Sequence, residues 1–203
     1  MKKCILVCAG DFCKSEFLKN YTPDAYTVAA DAGLSHLDGI NVTPDLIIGD
    51  FDSLGRVPEG AVVLPVKKDV TDSFAAADAA LEKGCDEFLI FGALGGKRLS
   101  HTLGNFALLS YLRSKGAKGT LYADGCIVTL IAEETVSFPK EKRGSLSLAV
   151  YGESATVSIE GMTYGISRRT VTKDSCLCIS NSFAGTPATV TVHEGAMLCI
   201  EEF

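Results

Sequence analysis

The stretch PDLIIGDFDS at residues 44–53 decides how we interpret this chain. Its apolar residues 46–48 are typical of a buried strand, and a glycine ends that strand just before two carboxylates, Asp50 and Asp52. Side chains alternate along an extended segment, so we expect both carboxylates to point to the same side. Carboxylates in that arrangement suit a hard cation such as Mg²⁺. An acidic surface turn is the alternative, because Asp and Gly are ordinary turn residues.

The residues around this stretch predict an α/β domain. Short apolar runs alternate with helical patterns over residues 1–124, which indicates a mostly parallel, Rossmann-like sheet with flanking helices. The helices at 72–83 and 101–114 are the best defined, because Gly84 and Gly116 stand where C-terminal stops belong. The other predicted helices cover 15–19 and 34–37, and the predicted strands cover 4–9, 26–30, 46–48, 61–64, 87–91 and 120–123.

The sequence changes character after residue 124. Short β-rich segments separated by glycines follow one another closely, which predicts a small antiparallel β-sandwich. Its predicted strands cover 145–150, 156–159, 176–179, 188–192 and 197–201. We therefore expect two domains, an α/β domain at 1–124 and a β-sandwich domain at 125–203.

Composition narrows the class of protein. The chain has 203 residues, 47% of them hydrophobic, so it can bury a substantial core and is not a disordered segment. A net charge of -6 argues against a general nucleic-acid binder. No segment approaches the roughly 20 apolar residues of a membrane span. The 8 cysteines show no zinc-ligand or CxxC spacing, which favours a reduced, cytoplasmic protein.

Polar clusters follow four of the predicted strands. Ligands bind beyond the carboxyl ends of strands in a parallel α/β sheet, so these clusters are expected to form one site. They are Asp31-Ala32-Gly33, residues 49–53, residues 67–72 and the glycine-rich residues 92–98.

Each cluster has a simpler interpretation. Asp69, Thr71 and Asp72 could cap the helix that follows them. The glycine-rich loop could be a tight turn, but Lys97 and Arg98 beside a helix N-terminus favour an anion site, although the spacing is not that of a Walker A loop.

The sequence places one of the three histidines in the predicted site, and it shows no clear nucleophile. His101 directly follows the glycine-rich loop and is placed in the site, whereas His36 and His193 are expected to be structural or solvent-facing. No serine or cysteine nucleophile with a base emerges from spacing. These carboxylates, together with the glycine-rich loop and its cationic residues, suit phosphoryl or pyrophosphoryl transfer from a Mg²⁺-nucleotide. Such a transfer needs positioning and charge neutralisation more than covalent catalysis.

Five motifs in this order resemble the thiamine pyrophosphokinase family over nearly the whole chain. They are residues 30–33, Gly49-Asp50-Phe51-Asp52-Ser53, Lys68-Asp69-Val70-Thr71-Asp72, residues 95–101 with Asn105, and Ile179-Ser180-Asn181. The resemblance implies Mg²⁺-dependent transfer of the pyrophosphoryl group of ATP to the hydroxyl of thiamine, giving thiamine diphosphate and AMP. It also implies a homodimer whose subunits share their active sites.

The resemblance also assigns roles to individual residues. Asp50, Asp52 and Asp72 are the implied catalytic and Mg²⁺-binding residues, with Asp52 or Asp72 assisting proton removal. The implied nucleotide contacts are Asp31, Gly33, Ser53, Lys68, Thr71, Gly95, Gly96, Arg98 and His101, and the implied substrate contacts are Asn105, Ser180 and Asn181.

Three positions depart from the family pattern, and two other functions stay open. Ser100 stands where the family usually has Asp, Ala32 where it has Gly, and Phe74 where it has Glu; we expect Phe74 to face the core. The chain has no Trp, so aromatic packing on thiamine would fall to Phe183 or Tyr164. The alternatives are a Mg²⁺-dependent phosphohydrolase or nucleotide-sugar transferase with a DxD site, and a non-catalytic thiamine or nucleotide binder.

Overall fold

The computed structural model describes residues 1–96 and 98–203, which form two compact units at 1–124 and 125–203. None of the helices in the described part of the chain is long and apolar enough to cross a membrane. Each unit has its own hydrophobic core.

Parallel strands form the sheet of the first unit. The strands are β1 (Lys3–Val7), β2 (Tyr26–Ala30), β3 (Leu46–Gly49), β4 (Val62–Val63), β5 (Glu87–Phe91) and β6 (Lys118–Ala123). Their order across the sheet is β4-β3-β2-β1-β5-β6, and every neighbouring pair is parallel. Strands such as β1 and β5 are almost wholly buried, as expected when both faces of a sheet are covered.

Helices cover the faces of this sheet. They are α1 (Lys14–Asn20), α2 (Gly33–Asp38), α3 (Asp72–Glu82) and α4 (Leu99–Ser114). Phe17 of α1 and Leu37 of α2 pack against Val7 and Phe91 of the sheet. Helix α3 buries three alanines and contacts the sheet and α4. Burial of each large apolar side chain contributes about 1.5–3 kcal/mol, so these contacts fix the helices on the sheet.

The strand order reverses at β1. The chain runs from β1 outward to β4 and then returns to β5 on the other side of β1. The loops that leave β1 and β5 therefore run side by side, with the Cys8 N–H donating to the Phe91 carbonyl at 2.8 Å and the Gly10 N–H donating to the Gly92 carbonyl at 2.7 Å. Such a switch point is where α/β sheets bind ligands.

The second unit is a sandwich of two antiparallel sheets. Its strands are β7 (Cys126–Ala132), β8 (Thr135–Phe138), β9 (Ser145–Val150), β10 (Ser154–Glu160), β11 (Ile166–Thr172), β12 (Asn181–Ser182), β13 (Ala188–Glu194) and β14 (Ala196–Glu202). One sheet has the order β12-β9-β14-β7 and the other β11-β10-β13-β8. Leu148 and Met197 of one sheet share a core with Val157 and Val190 of the other.

The predicted fold class is confirmed, with local corrections. The strand predicted at 176–179 is wrong: these residues form a turn, in which the Cys178 carbonyl accepts a hydrogen bond from the Leu148 N–H at 2.8 Å. The sequence analysis missed β7, β8, β11 and β12. Strand β11 is exposed along most of its length, so no apolar alternation marks it. The first predicted strand, 4–9, ends early at Val7, which leaves the next residues free to line a cavity.

Candidate active site

A cavity of about 540 Å³ opens at the carboxyl ends of the strands of the first unit. This volume is in the range of small-molecule sites. Loops after β1, β2, β3 and β5 and the first turn of α3 line it. The predicted site residues in its wall are Asp31, Asp50, Asp52, Ser53, Thr71, Asp72, Gly95, Gly96, Arg98, His101 and Asn105.

The two carboxylates of the opening motif do not lie on one extended segment. Phe51 between them has a φ of 57° and is buried, so the chain turns sharply after Asp50. Both carboxylates line the same cavity, as expected, but they do so through this turn and not through the alternation of an extended strand. Asp52 is exposed at the cavity wall, and its carboxylate accepts a hydrogen bond from the Ser53 hydroxyl at 2.9 Å.

Three carboxylates from three separate loops meet instead. Oxygens of Asp31, Asp50 and Asp72 all lie within 4.8 Å of one another. The backbone of Asp31 has a φ of 49°, and its N–H donates to the Ile48 carbonyl at 2.9 Å. Gly49 permits this approach, because a Cβ there would lie 2.9 Å from the Asp31 Cα. Asp31 thus joins the cluster in the position that the sequence analysis gave to Asp52.

Lys68 neutralises part of this cluster. Its Nζ lies 2.6 Å from Asp50 Oδ2 and 3.1 Å from Asp72 Oδ1, and all three side chains are largely buried. The hydrogen bond from Lys68 is the main reason that the pKa of Asp50 is lowered. Burial lowers the pKa of Lys68, but its hydrogen bonds to Asp50 and Asp72 outweigh burial, and the pKa is raised. The lowered pKa of Asp50 and the raised pKa of Lys68 both favour the charged forms of this pair.

Asp31 and Asp72 each have a buried carboxylate oxygen that accepts no hydrogen bond within the described residues. Asp72 Oδ1 lies 3.1 Å from the Lys68 ammonium, whereas Asp31 has no ion pair in the described part of the chain. Burial raises the pKa of Asp31, although the Ala32 N–H and Ser53 oppose that shift. A buried carboxylate oxygen without a partner is costly unless a ligand or ion satisfies it. The oxygen donors present here fit Mg²⁺.

The glycine-rich loop forms another part of the cavity wall. Gly95 and Gly96 have φ values of 71° and 75°, and the Gly96 N–H donates to Asp11 Oδ2 at 2.8 Å. A Cβ on Gly95 would lie 2.3 Å from that same oxygen, so the loop needs glycine there. Arg98 and His101 are exposed at the start of α4, whose first turn has no side-chain cap. Lys97, predicted to help bind an anion, lies outside the described residues.

The capping interpretation of residues 69–72 is not supported by the contacts. Thr71 is the N-cap residue of α3, but its hydroxyl makes no capping hydrogen bond and lies 2.9 Å from the Ser73 hydroxyl. Ser73 donates to Asn105 at 2.9 Å, and Asn105 donates to the Ala93 carbonyl at 2.7 Å. Asn105, a predicted substrate contact, is buried and joins α3, α4 and the loop after β5.

Two predicted nucleotide contacts lie outside the cavity wall. Gly33 packs α2 against β1, since a Cβ there would lie 2.1 Å from the Val7 carbonyl oxygen. Lys68 reaches the site through its ion pairs with Asp50 and Asp72. Gly33 thus allows the close packing of α2 on β1, and Lys68 neutralises part of the carboxylate charge.

The predicted thiamine contacts belong to the second unit. Asn181 is buried, its Nδ2 donates to the Tyr164 carbonyl at 2.8 Å, and its Oδ1 accepts from the Tyr164 N–H at 3.0 Å. Ser180 is exposed, with a φ of 58°, and its N–H donates to Ser147. The Tyr164 side chain is exposed, whereas Phe183 is half-buried against Phe138. Asn181 therefore holds the backbone of Tyr164 and has little surface of its own.

The sequence analysis missed residues from the loop after β1. Gly10 and Asp11 line the cavity, and the same strand-end rule applied to β1 would have found them. His36, expected to be structural or solvent-facing, also lines it, with Nε2 3.0 Å from the Gly10 carbonyl oxygen and its ring stacked on Phe12. Cys8 lines the cavity as well, but burial raises its pKa to about 12, so the thiol stays protonated.

Of the three departures from the family pattern, one lines the cavity and two do not. Ser100 is exposed in the first turn of α4 and is absent from the cavity wall. Ala32 lines the cavity at the N-cap of α2. Phe74, expected to face the core, is half-buried against the ring of Tyr111.

The sequence of this chain matches models of known protein families over both units. Residues 18–121 match the family model for the thiamin pyrophosphokinase catalytic domain. Residues 133–197 match the model for the thiamin pyrophosphokinase vitamin B1 binding domain. A thiamine pyrophosphokinase of Bacillus subtilis is 30% identical over 200 residues, which cover 90% of this chain and 93% of that protein.

Solved structures agree with the sequence comparison. A crystal structure of thiamine pyrophosphokinase from Bacillus subtilis has a TM-score of 0.85 at 26% identity, over 98% of this chain and 99% of that one. A thiamin pyrophosphokinase family protein from Enterococcus faecalis has a TM-score of 0.84 at 26% identity, over 100% and 99%. The similarity therefore extends over both units.

Proposed function

The chain belongs to the thiamin pyrophosphokinase family, and we propose that it transfers the pyrophosphoryl group of ATP to the hydroxyl oxygen of thiamine. The products are thiamine diphosphate and AMP. The observation that carries this proposal is the meeting of Asp31, Asp50 and Asp72 in a cavity that also contains the glycine-rich loop. Family membership does not favour the phosphohydrolase, the nucleotide-sugar transferase or the non-catalytic binder.

The carboxylate cluster is the proposed Mg²⁺ site. Asp31, Asp50 and Asp72 would hold the ion, because their oxygens are close together and Asp31 Oδ1 lacks a partner among the described residues. When bound, Mg²⁺ supplies positive charge that stabilises the negative charge on the transferring phosphates. Asp52, also predicted as a ligand, lies at the cavity wall outside this cluster.

The glycine-rich loop and the start of α4, which line the cavity, form the proposed site for the phosphates of ATP. The start of α4 has no side-chain cap, which leaves its first backbone N–H groups available to an anion, and Arg98 and His101, which line the cavity, are exposed there. Gly95 and Gly96 let the backbone come close to a ligand without a side chain in the way. Thr71, Ser53 and His36 add polar groups at the rim. These residues would bind and orient the triphosphate.

The reaction itself needs little covalent chemistry from the protein. The thiamine hydroxyl oxygen forms a bond to the β-phosphorus of ATP as the bond from that phosphorus to the α-bridging oxygen breaks, and AMP leaves with that oxygen. We assign Asp52 to accept the hydroxyl proton, because it is exposed at the cavity wall and carries no ion pair in the described part of the chain. Phosphoryl transfer depends mainly on such positioning.

The second unit is the proposed thiamine-binding and dimerisation domain. Ser180 and the exposed ring of Tyr164, held by Asn181, are the proposed contacts to thiamine. The family resemblance supports a homodimer whose subunits share active sites. The cysteines, all of them free, support a cytoplasmic location.

One assay tests this function. The purified protein with ATP, Mg²⁺ and thiamine should form AMP and thiamine diphosphate in equal amounts, and it should sediment as a dimer. Formation of ADP, or of an aspartyl-phosphate intermediate, would contradict pyrophosphoryl transfer and favour a phosphohydrolase. Turnover of a sugar nucleotide would favour the transferase, and tight binding without AMP would favour the non-catalytic binder.

A further inference from the structure

Lys68 has an unusual position for a residue that contacts a nucleotide. Its ammonium lies 2.6 Å from Asp50 Oδ2 and 3.1 Å from Asp72 Oδ1, and its side chain is 13% exposed. It does not line the cavity in which the triphosphate is proposed to bind. Its neighbour Lys67 is exposed and makes no such pairs. The Lys68 ammonium therefore faces the carboxylates.

Charge explains why a cation is needed at that point. Carboxylate oxygens of Asp31, Asp50 and Asp72 lie within 4.8 Å of one another, and like charges at such distances repel strongly when they are shielded from water. The ammonium offsets this repulsion for two of the three groups. Asp31 Oδ1 stays without a hydrogen-bond partner within the described residues.

The same contacts create competition for a metal ion. A divalent cation that takes Asp50 and Asp72 as ligands would lie within a few ångströms of the ammonium, and the two positive charges would repel each other. Asp50 Oδ2 already accepts a hydrogen bond from the Lys68 ammonium at 2.6 Å, so one of the two oxygens of this carboxylate is engaged. The ion therefore competes with the ammonium for these two carboxylates.

We propose that Lys68 is a built-in competitor of the divalent cation. Its ammonium holds Asp50 and Asp72 together in the metal-free protein, and it leaves them when the ion binds. The proposal rests on the metal site of the proposed function. Asp31 is the ligand that the ammonium does not engage, so it makes the first contact with the ion. The displaced ammonium then adds positive charge beside the triphosphate.

Metal binding without nucleotide gives the decisive measurement. Calorimetric titration with Mn²⁺ alone should show about tenfold tighter binding to Lys68→Met than to wild type, since one charge-assisted hydrogen bond no longer has to be broken. Metal-free Lys68→Met should melt at a lower temperature than wild type and recover on addition of Mn²⁺. Lys67→Met, the matched control, should change neither quantity. Equal or weaker Mn²⁺ binding by Lys68→Met, or no Mn²⁺ binding by either protein, would overturn the proposal.

Wild-type protein gives an independent answer if Lys68→Met does not fold. An amine-acylating reagent should modify Lys68 more slowly than Lys67 in the metal-free protein, and Mg²⁺ should accelerate modification of Lys68 alone. Unchanged modification of Lys68 at saturating Mg²⁺ would overturn the proposal.

The outcome is separable from that of the proposed function. A protein that shows this Mn²⁺ competition but forms no thiamine diphosphate would refute the proposed function and support the role of Lys68. An active enzyme without the competition would refute only the role of Lys68.

Discussion

The carboxylates of the first unit and the amide of Asn181 in the second unit are both removed from water, but they differ in how fully their polar atoms are hydrogen-bonded. Asp31 Oδ1 is buried without a hydrogen-bond partner in the described residues, beside two further carboxylates. The side-chain amide of Asn181 makes hydrogen bonds to both the N–H and the carbonyl of Tyr164. A polar group left unsatisfied indicates a ligand, whereas a satisfied one indicates that the protein is using it to fix a shape.

This difference predicts opposite responses to substitution. Removing a charge from the cluster should impair function while leaving the fold intact or more stable. Removing the Asn181 amide should disturb the local fold first, and binding only as a consequence.

The largest expected effect is on catalysis by Asp72→Asn. This change keeps the size of a side chain in the carboxylate cluster but removes a charge that the proposed Mg²⁺ site needs. We expect kcat to fall by about a thousandfold, since loss of one well-placed electrostatic group costs that much in other active sites. Asp69→Asn, at an exposed position three residues earlier, is the control and should retain activity. Activity of Asp72→Asn within tenfold of wild type would remove the cluster from the chemistry.

An intermediate effect is expected for Asn181→Ala. The substitution leaves the backbone groups of Tyr164 without their partners, at a cost of about 1–3 kcal/mol. The melting temperature should fall, and KM for thiamine should rise about tenfold while KM for ATP stays the same. Ser182→Ala, at an exposed position in β12, is the matched control. A higher KM for thiamine with an unchanged melting temperature would mean that Asn181 touches thiamine directly.

The smallest expected effect is a gain in stability for Asp31→Asn. Asn tolerates the left-handed backbone of this position, where φ is 49°, and it removes a buried charge that lacks a full set of partners. The metal-free protein should become more stable by about 1 kcal/mol, which raises its melting temperature by a few degrees. Mg²⁺ should no longer stabilise the variant. A lower melting temperature in the absence of metal would show that the Asp31 charge supports the fold.

Much of the fold was predictable because its signals are local. Buried strands such as β1, β2 and β5 are continuous apolar runs, and Gly84 and Gly116 end α3 and α4 with φ values of 83° and 77°. In contrast, β11 is mostly exposed and residues 176–179 are apolar without being a strand. Small sandwiches bury only part of each strand, so local hydrophobicity is a poor guide to pairing there.

The site was predictable as a location more than as a set of contacts. The strand-end rule placed most of its residues on one rim, although it was not applied to β1 and so missed Asp11. It could not rank Asp31 above Asp52, because that order depends on the turn at Phe51. His36 joins the site through the packing of α2 beside Gly10, which no spacing in the sequence reveals.

The sequence by itself determined that carboxylates, glycines and cations follow the strands of an α/β sheet. Strand ends and turns can be recognised from a few neighbouring residues, because they depend on local backbone preferences and local hydrophobicity. The tertiary structure decided which carboxylates meet and how each is satisfied. The left-handed turn at Phe51 sends Asp52 to the cavity wall, the close approach allowed by Gly49 brings in Asp31, and Lys68 binds the remaining pair. Distances between charges from separate loops depend on how those loops pack, and electrostatic energy depends on those distances.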